Sequence, residues 1–133
     1  MHQAVILIDS SVWIAVMSKR PLFRVDDLVE VNEIVTCLPV IQEVLQGFDD
    51  DDAFEDARDA LYALPVIGDP LSGELFDEAI TIYRKARHKG ITIRSSADCL
   101  IAACAIRHGA VVLHRDRDFD HLARISPLQS RRV

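Results

Sequence analysis

The sequence predicts an α/β fold, a three-layer α/β/α sandwich around a mostly parallel central sheet. Short apolar runs rich in β-branched residues recur at 4–8, 33–38 and 110–114. Such runs mark strands buried on both faces, as in parallel sheets. Helical patterns separate them, which is the alternation of βαβ units. At 133 residues, half of them apolar, the chain suits one domain with one core, spanning 1–133.

Taken in order, AVILI (4–8) reads as a strand that ends at Asp9. Ser10 or Ser11 caps a helix over roughly 11–18, before Pro21 interrupts. EIVTCL (33–38) reads as a second strand, and Pro39 opens a helix that runs to about Gly47. The acids of DDDD (49–52) favour the positive end of a helix reaching about Ala63. LPVIGDP (64–70) is a short strand-like segment and turn, and 71–90 is a long amphipathic helix stopped by Gly90. A further helix runs over about 97–108 to Gly109; its middle, CLIAACAI, is apolar all round and is expected to be buried. AVVLH (110–114) is the next strand, followed by the acidic turn RDRDFD and a short helix near 119–124.

The net charge of −6 conceals an asymmetry. Residues 1–83 hold four Lys/Arg against 17 Asp/Glu, whereas 84–133 hold 11 Lys/Arg against four acids, Asp98, Asp116, Asp118 and Asp120. A basic half can attract a phosphate backbone even in an acidic protein. No stretch approaches the roughly 20 apolar residues of a membrane helix. The N-terminal MHQAVILIDSS lacks the basic region of a secretory signal. Three cysteines, Cys37, Cys99 and Cys104, are an odd number in apolar contexts, which points to reduced thiols and a cytoplasmic location.

Four acids are attached to the most apolar elements of the chain, where acids are otherwise costly. Asp9 closes the first strand and Asp116 follows the strand 110–114. Asp98 lies in the first turn of the buried helix, and Glu43 lies among Val40, Ile41, Val44 and Leu45. In open α/β sheets functional groups gather at the carboxyl ends of strands. Two carboxylates at about 4 Å repel by about 4 kcal/mol at an effective dielectric near 20. Converging acids must therefore take up protons or bind a cation, and an all-oxygen set suits Mg²⁺ or Mn²⁺. Asp9, Asp98 and Asp116 are expected to hold one such ion, with Asp118 close by and Glu43 positioning the ion or accepting a proton from water. Such an ion activates water against a phosphodiester. Arg94, Arg115 and Arg117 are candidates to contact the flanking phosphates.

Other chemistries fit less well. An aspartyl-phosphate phosphatase needs a second acid two residues after the first, where Ser11 stands. A calcium loop starting at Asp116 would place His121 and Pro127 where glycine and glutamate belong. Cys99, Cys104, His108 and His114 lack the paired short spacing of structural zinc. Ser10 and Ser11 have no nucleophile-elbow setting and instead suit capping or hydrogen bonding to a metal ligand.

The segments LIDSSVWI, PVIQEVLQG, ITIRSSADCLIAACAIRHGA and VVLHRDRDFDHLA resemble, in order and spacing, the PIN-domain toxins of VapBC toxin–antitoxin modules. Ile91 to Ala123 is the most specific part. The resemblance implies a PIN fold and an acidic quartet at Asp9, Glu43, Asp98 and Asp116, the last favoured over Asp118 by register. It further implies Mg²⁺ or Mn²⁺ dependence, endoribonuclease activity on tRNA or rRNA, neutralisation by a VapB-like antitoxin, and a homodimer. The helices at 11–18, 40–47 and 53–63 are candidates for the antitoxin surface. The competing expectation is a non-catalytic, regulatory PIN-like module that binds RNA or protein without cutting it.

Overall fold

Strand β1 (Ile6–Ile8) has three consecutive buried residues. Successive side chains of a strand point to opposite faces, so both faces of the sheet are covered. A computed structural model describes residues 4–133. In it β1 is followed by α1 (Ser10–Met17), the short α2 (Val25–Leu28), a 3₁₀ turn (Val31–Glu33) and β2 (Ile34–Val35). Next come α3 (Leu38–Leu45), α4 (Asp51–Tyr62), α5 (Gly73–His88) and α6 (Ser96–His108). Strand β3 (Val111–His114), α7 (Arg117–Ile125) and β4 (Gln129–Arg132) complete the chain.

The four strands are all parallel, in the order β2-β1-β3-β4. In register, Ile6 pairs with Ile34 on one side and with Val111 on the other. The chain leaves β1 toward β2 but leaves β3 toward β4, so the direction of winding reverses between β1 and β3. That reversal opens a crevice at their carboxyl ends.

Local signals account for the helices. Asp50 caps α4 by accepting from the Ala53 N–H, and Ser72 caps α5 by accepting from Leu75. Pro39 opens α3, and Gly109, with φ of 64°, closes α6 in the left-handed conformation that glycine tolerates. Helix α6 is buried along Cys99 and Ile101–Ala105, as its apolar run requires.

The structure also differs from the sequence reading. The second strand is only Ile34–Val35, because Glu33 belongs to the 3₁₀ turn and Leu38 already starts α3. From the 64–70 segment, Val66 makes one isolated parallel bridge to Thr36. The short α2 has no counterpart in the sequence reading, α7 starts two residues before the expected 119, and β4 is not expected from QSRR because it has no apolar pattern. All three thiols are buried and free. Among the described residues no helix is long and apolar enough to cross a membrane.

Candidate active site

The crevice between β1 and β3 holds the acids. Asp9, the residue after β1, is the N-cap of α1 and is only 2% exposed. Its Oδ2 accepts from the Ser11 N–H at 3.1 Å and the Ser11 hydroxyl at 2.6 Å. Its Oδ1 is buried without a partner. One oxygen thus caps the helix and the other is left for the site. The Ser11 hydroxyl also accepts from the Arg115 N–H at 3.0 Å, which ties the end of β1 to the end of β3.

Asp98, in the first turn of α6, is 5% exposed and leaves Oδ2 buried and unpaired. Glu43 is half-buried on α3, where the Ser10 hydroxyl lies 3.4 Å from its Oε1. Asp9, Glu43 and Asp98 each direct an oxygen to one place, all three atoms within 4.8 Å of one another. Asp98 belongs to a second such group, with Asp116 and Asp118, under the same limit. All five acids named from the sequence therefore meet, in two triads that share Asp98.

Their electrostatics follow from crowding. Burial, reinforced by the charges of Asp9, Asp116, Glu43 and Asp118, pushes the Asp98 carboxyl up to about 8. Burial also raises Asp9, against the hydrogen bonds from Ser11, and raises Glu43, with the Asp9 charge adding to the effect. Unpaired buried carboxylate oxygens are costly. An all-oxygen set with two of them fits a hard divalent cation.

The second triad is differently furnished. Asp116 caps α7, its Oδ1 accepting from the Asp118 N–H at 3.0 Å and from Arg94 Nη2 at 2.8 Å. Asp118, 2% exposed, accepts on Oδ2 from both the backbone N–H of Arg94 at 3.1 Å and its Nε at 3.3 Å. Of the arginines predicted to meet phosphate, Arg94 therefore lies on the acids. Arg115 and Arg117 are exposed beside them, Arg115 with its guanidinium over the Phe23 ring.

One positioning residue escaped the sequence reading. His114, fully buried at the end of β3, accepts the Asp116 N–H on Nδ1 at 3.2 Å. Its Nε2 faces Asp120 Oδ1 at 3.4 Å, and Arg132 grips Asp120 at 2.7 Å. Burial outweighs Asp120 and lowers the imidazole, which keeps it neutral and able to accept. The available signal was a histidine closing an apolar strand two residues before a site acid.

A parallel α/β fold with acids at its winding reversal defines a class that the comparisons specify. The chain belongs to the PIN-domain family, whose model matches residues 6–125. Within that family its relatives are VapC ribonucleases. Ribonuclease VapC11 of Mycobacterium tuberculosis is 41% identical over 137 residues, covering 94% of this chain and 96% of the relative. Ribonuclease VapC18 of the same organism is 30% identical over 128 residues, covering 92% and 90%. In fold, the chain is similar to VapBC2 from Rickettsia felis bound to a promoter DNA fragment. That match has a TM-score of 0.78 at 18% identity and covers 97% of this chain and 98% of the other.

Proposed function

We propose that this chain, one PIN domain over 1–133, is the ribonuclease toxin of a type II toxin–antitoxin module. It is a metal-dependent endoribonuclease acting in the cytoplasm on structured RNA, tRNA or rRNA. The observation that carries the reading is the pair of buried, unpaired oxygens on Asp9 and Asp98, two acids of one triad that repel each other and that make no ion pair among the described residues. Four of the acids, Asp9, Glu43, Asp98 and Asp116, form the working set.

Asp9 and Asp98 are the firmest ligands for Mg²⁺ or Mn²⁺, with Glu43 alongside and Asp116 and Asp118 on the far flank. Held there, such an ion would supply a lowered pKa for bound water and an offset for charge on a phosphoryl oxygen. Glu43, the most exposed member of its triad and raised by burial, is suited to take the proton that the attacking water gives up. Ser10 holds Glu43, and Ser11 holds Asp9, so both acids keep their aim without metal. Exposed Arg115 and Arg117 frame the acids with positive charge for the flanking phosphates.

The partner is a VapB-like antitoxin. A groove of about 680 Å³ runs from Glu43 along Leu38, Leu71, Phe76, Ile80 and Tyr83. Phe76 and Ile80 are about half exposed there, 46% and 54%, which suits the apolar face of an antitoxin segment. A homodimer completes the assembly.

The test is RNA cleavage with Mn²⁺, mapped by 5′ ends, for wild type and Asp9→Asn. Wild type cuts and the variant, still folded by circular dichroism, does not. A wild type that binds RNA and cuts none under Mn²⁺ or Mg²⁺ would establish the regulatory-module reading instead.

A further inference from the structure

Arg94 stands in the segment before α6, 59% exposed, yet its Nε and Nη2 both donate to the acids. Its Nη2 meets Asp116 Oδ1 at 2.8 Å and its Nε meets Asp118 Oδ2 at 3.3 Å. Its own backbone N–H holds the same Asp118 oxygen at 3.1 Å. Two residues of one acidic turn are thereby bridged by one planar fork, the geometry for which arginine is suited. Buried Ile93, 3% exposed, anchors the segment beneath.

Among the described residues, no cation pairs with Asp9 or Glu43 of the other triad or with the shared Asp98. Asp9 Oδ1 and Asp98 Oδ2, both on residues more than nine-tenths buried, accept nothing. A divalent ion placed among Asp98, Asp116 and Asp118 would sit beside a guanidinium nitrogen already bonded to Asp116. It would have to displace that group or bear like-charge repulsion at short range.

We propose that Arg94 is a built-in second cation: it occupies the Asp116–Asp118 side of the cluster, so that the chain binds a single divalent ion, between Asp9, Glu43 and Asp98. This rests on the reading that the acids hold a metal. Arg94 is accordingly a positioning residue, and Asp118 serves it as a clamp.

Counting bound Mn²⁺ by the electron paramagnetic resonance signal of the free ion tests this without any RNA. Wild type and Arg94→Lys, which keeps the charge, bind one ion per chain. Arg94→Ala binds two, and so does Arg94→Gln, which serves if the alanine variant does not fold. Two ions on the wild type, or one ion on a folded neutral variant, would overturn the inference while leaving the metal reading intact. No bound Mn²⁺ on any of these proteins would sink both together.

Discussion

The two triads that meet at Asp98 handle buried negative charge in opposite ways. On the α1–α3 side, Asp9 and Glu43 are supported only by serines, and two carboxylate oxygens remain without partners. On the β3–α7 side, Asp116 and Asp118 receive backbone N–H groups and a guanidinium. The first half has no ion pair among the described residues, whereas the second is partly offset by one guanidinium set against two carboxylates. Acid density is the same on both sides; the partnerless oxygens are what separates them.

Removing the shared corner breaks the comparison most severely. Asp98→Asn should abolish Mn²⁺ binding and lower RNA cleavage by about a thousandfold or more, since a catalytic ion supplies several kcal/mol. The same variant should melt higher than wild type in chelator, because it removes a buried acid from a repelling group.

The second expectation concerns pH. The Asp98 carboxyl ionises near 3.8 in the unfolded chain and near about 8 in the folded one. Between those values the native state holds a proton that the unfolded state has lost. Metal-free stability therefore falls as pH rises through that window and levels off above it. Urea midpoints measured in chelator at steps across the window check the slope, and Asp98→Asn should flatten it. A slope of the opposite sign would mean that the acids are stabilised as anions.

A smaller effect is expected across the cluster. Asp118→Asn keeps an acceptor for Arg94 but leaves Asp116 as its one carboxylate partner in the turn, so cleavage should fall by about 10- to 100-fold, as for partners that orient a site rather than bind the metal. The Mn²⁺ count should stay at one. Smallest is Ser11→Ala, which removes the 2.6 Å hydrogen bond on Asp9 and the acceptor for Arg115. It should cost about 1 kcal/mol in urea titrations and raise the Asp9 carboxyl further.

Much of this is legible in the sequence. Asp9 and Asp116 follow apolar strands, and a parallel sheet brings strand ends of like direction to one edge; Asp98 opens a helix too apolar to lie outside. Glu43 was harder. Its neighbours Val40, Ile41 and Val44 are buried, and only the docking of α3 against α1 and α6 decides where the next side chain points. Arg94 was read as a phosphate contact because its partners lie 22 and 24 residues away. Nothing local separates an arginine that faces solvent from one that spans a turn. His114 was hidden by its strand, and β4 was hidden by its polarity: QSRR joins the sheet through backbone pairing to Val111–His114, which composition does not encode.

That last strand has a consequence for the chain on its own. A sheet of four strands has two open edges, and an open edge is a template for other chains. One edge here is only two residues long, at Ile34–Val35, and the chain around Val66 pairs with Thr36 just beyond it. The other carries Arg131 and Arg132, both exposed. Brevity and the Val66 bridge limit one border and charge limits the other, both of which disfavour strand-on-strand stacking of copies of this chain.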